Sequence, residues 1–297
     1  MKIWNWDWLQ SKTFYRTGKI CTGSTYTFLL HVKPSVSDPG QSREWNSSVY
    51  HRLSQPQVSW GRRVLSRLRL RGDEQLLDAG CGTGRLTAEL IAALPRGRVV
   101  GADLSRNMLM EARDHLRGAH VSLVAADLLH LPFEHAFDGI VSTAAFHWVL
   151  DHHRLFVSLR RALRPGGWLH AQCGGGPNLA RLRNRVGKLA RTSLYAPHLA
   201  LFTEPWFFAS DEQAAEILRH AGFVNVETSV EADPAILDDA QQYEEFVSNI
   251  ILHAHLREIP SEELRKKFVA ELTAQAATDD PPYSLDYWRL NLSGSVT

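Results

Sequence analysis

No run of eighteen or more apolar residues occurs in the sequence, so no bilayer-spanning helix is expected. The opening MKIWNWDWLQSK lacks the apolar centre of a secretory signal. Cysteine is scarce. Cys21, Cys81 and Cys173 make an odd number, and none stands in CxxC or another metal-ligand spacing. That argues against a disulfide framework and for reduced thiols in a cytoplasmic protein. HExxH and EF-hand patterns are missing as well, so no metal is expected. Charge of one sign is not in excess, with 33 Lys and Arg against 32 Asp and Glu. Such a balance gives no global pull toward nucleic acid or an anionic membrane. What the chain does have is apolar residues, 44% of 297, enough to bury the core of one large α/β domain.

Residues 1–43 read as an extension. Trp4, Trp6 and Trp8 alternate as in a short strand, and the stretch from Lys33 to Gln41 has the Pro, Gly and Ser content of a linker. The main domain is expected over 44–297. Its first helix runs from about Ser54 to Leu70, with Trp60, Val64, Leu65 and Leu68 on one face. Short apolar strands then alternate with helices: QLLDA at Gln75–Ala79, RVVGA at Arg98–Ala102, VSLVA at Val121–Ala125, FDGIVS at Phe137–Ser142 and WLHAQC at Trp168–Cys173. Strands alternating with helices predict an α/β fold with a mostly parallel, doubly wound sheet. FVNVETSV and LDYWRLNL are further strands. Helical stretches interrupt the pattern at about 174–210 and 232–284 and are expected to form a cap over a substrate.

In an open parallel sheet, ligands bind beyond the carboxyl ends of the strands. The unusual residues lie there. Gly80, Gly82 and Gly84 are spaced GxGxG, and the sixth position of a dinucleotide GxGxxG would be Arg85. Asp78 precedes the loop. A carboxylate there suits a cationic amino-acid group, met directly or through water, better than a pyrophosphate. Asp103 ends the second strand and can accept from both hydroxyls of a ribose. Asp127 follows the third strand and can accept from an exocyclic amine. Leu104, Met108 and Leu128 are candidate apolar walls for a base. Cys81 in the loop and Thr143 at the end of the fourth strand join these as expected cofactor contacts. Taken in order after successive strands, these features point to S-adenosylmethionine.

DAGCGTG resembles motif I of the class I methyltransferases, and VVGADLSRNML, AADLLHLPF and FDGIVSTAAFHWV resemble the segments that follow it. The likeness spans about Trp45 to Val230. The His147-Trp148 pair and GGWLHAQ are similar to the trans-aconitate methyltransferase group. The resemblance implies a seven-stranded Rossmann-like sheet with its last strand antiparallel and a small-molecule acceptor methylated on a carboxylate or hydroxyl oxygen. It implies that Trp148 lies near the transferred methyl. It also implies that the helix carrying Gln57 and Trp60, with Tyr50 before it, closes over the cofactor.

His147 is the first candidate for a general base, the alternative being a packed or capping histidine. Trp206, Phe207 and Phe208 line an acceptor pocket or belong to the core. Arg181, Arg183, Arg185, Lys188 and Arg191 make one helix basic, read as a solvated face or as a means of capturing an anion. O-methylation of a small molecule is the leading expectation. Carbon methylation in a quinone or polyketide pathway and a non-catalytic cofactor-binding regulator are the alternatives. STAAF after the fourth strand, in place of an NPPY-like tetrad, counts against a nucleic-acid substrate.

Overall fold

The computed structural model describes residues 55–297 and two short strands before them, β1 (Tyr15–Arg16) and β2 (Leu29–His31). The alternating tryptophans, the proline-rich stretch, Cys21 and Tyr50 lie outside the described residues. Helix α1 (Gln55–Ser66) leads into the alternating core: β3 (Gln75–Ala79), α2 (Arg85–Ala93), β4 (Arg98–Asp103), α3 (Arg106–His115), β5 (Val121–Ala125), β6 (Phe137–Thr143), α4 (His152–Ala162) and β7 (Leu163–Gly174). The chain continues through α5 (Ala180–Ala190), α6 (Ala196–Leu199), α7 (Asp211–His220), β8 (Val224–Ala232), β9 (Ala235–Ile236) and α8 (Ala240–Phe246). A π-helical turn (Val247–Ile251), α9 (His253–Glu258), α10 (Glu262–Ala276), β10 (Ser284–Leu285) and β11 (Trp288–Ser295) complete it.

Strands β3 to β8 and β11 form the seven-stranded sheet, in the order β5-β4-β3-β6-β7-β11-β8. β11 runs antiparallel to both neighbours and the remaining pairs are parallel. β2 adds in parallel to β5, and β1 pairs antiparallel with β2, which extends the sheet to nine strands on that side. The extension thus contributes two strands that periodicity did not indicate. The last strand also differs from expectation. LDYWRLNL breaks at Tyr287, whose N–H turns back to the Leu285 carbonyl, so Leu285 joins the β9–β10 hairpin. The sheet strand begins only at Trp288 and runs to Ser295.

Local chemistry accounts for the helix starts. Ser105, Asp151, Ser210 and Ser261 each accept a backbone N–H from the first turn, and Ser210 with Gln213 completes a capping box. The central strands are buried on both faces, as a parallel sheet between helices requires. A second apolar core lies apart from the sheet's own. It gathers Leu182, Val186 and Leu189 of α5, Tyr243 and Phe246 of α8 and Phe268 and Leu272 of α10, and Trp60 and Tyr287 belong to it. This core holds α5, α6, α8 and α10 together, whereas α7 packs on the sheet's core through Ala214 and Leu218.

The basic helix is not simply a solvated face. Arg185 pairs with both oxygens of Asp279, at 2.9 and 2.5 Å, and Arg181 approaches the same carboxylate at 3.4 Å. Arg181 also donates to the carbonyl and hydroxyl of Ser284. Two of its cations therefore tie α5 to the segment before β10. Asp279 is itself almost buried. Replacing it by alanine leaves two partly buried guanidinium groups without their counter-ion, and Asp279→Ala should cost about 2–4 kcal/mol in urea unfolding. A loss below about 0.5 kcal/mol would mean that the pair is no more than a surface contact.

Candidate active site

The glycine loop after β3 is closed onto the end of β4. The N–H groups of Gly80 and Cys81 both donate to the Ala102 carbonyl, at 2.7 and 3.0 Å. The Asp103 carboxylate accepts from Gly82 N–H on one oxygen, at 2.9 Å, and from Ser105 N–H on the other, at 2.8 Å. The loop needs glycine for definite reasons. Gly80 has φ +80°, and a Cβ there would lie 2.3 Å from that of Ala145. Gly82 has φ +53° and faces open space on the wall of a groove.

That groove, about 750 Å³, runs across the strand ends. Gly80, Gly82, Asp103, Leu104, Met108 and Asp127 line one part of it, and Leu128, Thr143, Ala144 and Trp148 another. Leu104 is 42% exposed there, an apolar surface set between two carboxylates. Asp127 caps the short 3₁₀ turn Leu128–His130 through Leu129 N–H, at 2.9 Å. Thr143 Oγ1 is buried without a protein partner. Acceptors for ribose hydroxyls and an amine beside an apolar wall are the chemistry that an adenosyl group needs. The residues present therefore fit S-adenosylmethionine.

Other expected contacts do not line the groove. Asp78 is 1% exposed and lies behind the loop, accepting from the Thr87 hydroxyl at 2.6 Å. Burial pushes its pKa up to about 7, against the opposing effect of the Thr87 hydrogen bond. Cys81 points into the core beside Gly101, and burial raises its thiol well above the usual range. Gly84 caps α2 at φ +80°, where a Cβ would meet Leu116 at 2.9 Å. Gln57 falls within α1, and its side chain lies outside the described residues.

Trp60 has a different place from the one expected. It lines a second cavity, a chamber of about 420 Å³ on the far side of Ala144 and Trp148. Those two residues border both spaces. Ala144 has φ +58°, a conformation unusual for a residue with a side chain, and its N–H is held by the Gln172 carbonyl at 2.7 Å. Trp206, Phe208, Ile250 and Ile251 form apolar walls of the chamber. Phe207 turns the other way, edge-on to His152 at 4.6 Å. Arg183 lies across the Phe208 ring, 5.2 Å from its centroid.

Polar residues of the chamber come from elements distant in sequence. Arg289 of β11 is 2% exposed, and its guanidinium stands 3.8 Å from the centroid of the Trp60 ring. His147 accepts a hydrogen bond from Gly174 N–H on Nδ1, at 3.2 Å. A backbone N–H can only donate, so Nδ1 carries the lone pair and Nε2 the proton. Burial, with the nearby Arg289 and His152 charges, pushes the His147 pKa well below the usual range, so the ring is neutral. Asn178 and Arg289 were not singled out from the sequence. A charged residue inside the apolar strand WRLNL was the signal for the second.

The family model for a methyltransferase domain matches residues 77–171. An uncharacterized methyltransferase of Schizosaccharomyces pombe is 32% identical over 193 residues, covering 60% of this chain and 70% of the relative. The chain belongs to the class I S-adenosylmethionine-dependent methyltransferases. Trans-aconitate 2-methyltransferase of Variovorax paradoxus is 36% identical over 130 residues, 43% of this chain and 49% of that one, so the match spans about half of that relative's length. Among solved structures, a protein from Bacillus halodurans superposes with a TM-score of 0.57 at 19% identity, covering 80% of this chain and 100% of the other. Phosphoethanolamine N-methyltransferase 2 of Haemonchus contortus does so with a TM-score of 0.54 at 19% identity, covering 84% and 56%. These likenesses show the fold. The cofactor of this methyltransferase is S-adenosylmethionine, which supplies a methyl group activated on a sulfonium.

Two measurements test the groove. Asp103→Ala removes both an acceptor and the clamp on Gly82, and should weaken S-adenosylhomocysteine binding about ten- to a hundredfold by calorimetry. An unchanged dissociation constant would remove Asp103 from the cofactor site. Asp78 titrates near 7 when folded and near 3.8 when unfolded, so its contribution to stability is full below about 4 and is lost as pH rises through about 7. Asp78→Asn should therefore gain stability relative to wild type between pH 4 and 7 and hold a constant difference above that. A difference independent of pH would mean that Asp78 is ionised in its buried position.

Proposed function

We propose that this methyltransferase transfers a methyl group to a carboxylate oxygen of a small organic acid bound in the chamber. The observation that carries the reading is the hydrogen bond from Gly174 N–H to His147 Nδ1. It occupies the ring's lone pair, so His147 faces the chamber as a donor and is not a base. Among the described residues lining the chamber none is a carboxylate, and Arg289 adds a positive charge. An acceptor that needs deprotonation finds no partner for its proton there. A carboxylate is already ionised at neutral pH and needs none. Its O–C bond forms as the S–C bond breaks, and no proton leaves.

Trp148 and Ala144 form the boundary across which the methyl passes, with the cofactor on the groove side and the acceptor on the chamber side. The apolar walls exclude water and the fixed rings orient the acceptor. A chamber lined largely by aromatic and aliphatic side chains suits a small molecule. The names of the trans-aconitate relatives point to the same acceptor class. Among the described residues no helix is long and apolar enough to cross a membrane. Free, buried Cys81 and Cys173 suit the reducing conditions of a cytoplasmic enzyme.

Incubation with S-adenosylmethionine and a panel of carboxylic acids should yield base-labile methyl esters, detected by mass spectrometry. In His147→Gln the amide oxygen can accept from Gly174 and the amide NH₂ can donate in place of Nε2–H. That variant should keep its turnover within about tenfold of wild type, with a rate independent of pH from 6 to 9. A loss of a hundredfold or more, or a rate rising with pH, would mark His147 as a base and favour the carbon-methylation reading.

A further inference from the structure

Asp127 lines the groove with a side chain that is held from behind. Its Oδ1 accepts from Leu129 N–H at 2.9 Å. The ring of His130 lies against the other oxygen, with Nδ1 3.4 Å from Oδ2. Three residues per turn in a 3₁₀ helix bring side chains i and i+3 to one side, which sets His130 beside Asp127. The far nitrogen of the same ring, Nε2, meets Arg154 Nη2 of α4 at 2.5 Å. A guanidinium carries only donors, so Nε2 takes that hydrogen bond on its lone pair. The ring's proton is thereby placed on Nδ1, the nitrogen that faces Asp127. Arg154, His130 and Asp127 thus form a chain in which each group donates to the next. Helix α4 also holds the turn itself. The Ser158 hydroxyl accepts from Leu131 N–H at 3.0 Å, and Arg161 donates to the Leu131 carbonyl. Neither His130 nor Arg154 lines the groove, so the chain reaches the ligand side only through Asp127.

We propose that His130 and Arg154 are positioning residues, which hold Asp127 for recognition of the exocyclic amine of the cofactor's adenine. The assignment rests on Asp127 as the partner of that amine and is independent of the methyl acceptor. With a donor on each oxygen from the protein side, the carboxylate does not turn about its Cβ–Cγ bond. Each oxygen keeps a further lone pair for the groove. A carboxylate so fixed has no N–H or O–H to give. It accepts from an amine and repels a carbonyl oxygen at the same place, which is how a site rejects an analogue that lacks the expected donor. The tautomer of His130 matters for the same reason. With the ring proton on Nε2, the Nδ1 lone pair would face the carboxylate and push it aside, and the Arg154 guanidinium excludes that arrangement. Asp103 holds its own loops through Gly82 and Ser105 N–H, at a different strand end. The chain therefore acts on the base and leaves the ribose end of the groove unchanged.

Calorimetry with two ligands tests this. One is S-adenosylhomocysteine, and the other is S-inosylhomocysteine, in which a carbonyl oxygen replaces the amine. Wild type should bind the adenosyl ligand about 30-fold more tightly than the inosyl ligand. His130→Gln removes the donor at the Nδ1 position. It should weaken the adenosyl ligand about five- to tenfold and leave the inosyl ligand within about twofold of wild type. His130→Asn places an amide NH₂ where Nδ1–H stood and should keep adenosyl binding within about twofold of wild type. Arg154→Met frees the tautomer and should cost about threefold, again for the adenosyl ligand alone. Retained inosyl binding shows that each variant is folded. The assignment is overturned by equal affinity of wild type for the two ligands, or by an unchanged adenosyl dissociation constant in His130→Gln. A loss in His130→Gln shared by both ligands, or a loss in His130→Asn as large as in His130→Gln, reduces the ring to packing and overturns it as well. The carboxylate reading is decided separately, by the products of methyl transfer.

Discussion

The Asp103 carboxylate accepts one backbone N–H from the glycine loop and one from the start of α3, and so pins two loops to the end of one strand. The Ala102 carbonyl beside it takes two more N–H groups from the same loop. Four backbone donors that would otherwise need water are satisfied within two residues of β4. The position of the groove follows from this clamp, because Gly80 and Gly82 can approach a ligand only while the loop is drawn onto β4. A carboxylate held by two backbone donors is also kept in place on the wall of the groove.

Gly174 does for the chamber what β4 does for the groove. It is the end of the last parallel strand, next to the antiparallel β11, and side chains from three elements converge on it. Backbone N–H groups at strand ends have no ladder partner and must find one elsewhere. Here Gly174 and Trp288 use His147 and Asn178, and in doing so they set which atoms of those side chains face the chamber. The same geometry leaves His147 holding a backbone N–H, the packed or capping arrangement that stood beside a general base as a reading of its position. Covering this junction falls to the second apolar core, which includes Trp60 from the first described helix.

Much of the fold was legible because parallel strands buried on both faces leave short, uninterrupted apolar runs. Gln75–Ala79 and Val121–Ala125 appear in the structure with the bounds that their apolar character indicates. The groove was legible for a related reason. Its residues follow their strands directly, so Gly80, Gly82, Asp103 and Asp127 come to one edge of the sheet by topology alone. Asp78 was read by the same rule, yet its side chain faces Thr87 behind the loop. A one-residue difference along a strand selects the opposite face, and a pattern that is apolar throughout does not say which.

Composition and local pattern determined the α/β class, the strand order of events along the chain and the cofactor side of the site. Tertiary structure alone decided the chamber beyond Ala144 and Trp148. Trp60, His147, Asn178 and Arg289 are separated by up to 229 positions in sequence and share no motif, so no spacing links them. They meet because β11 inserts between β7 and β8 and because α1 lays Trp60 across it. Whether a histidine donates or accepts, and whether an arginine faces water or a buried cavity, depends on neighbours that only the folded chain supplies.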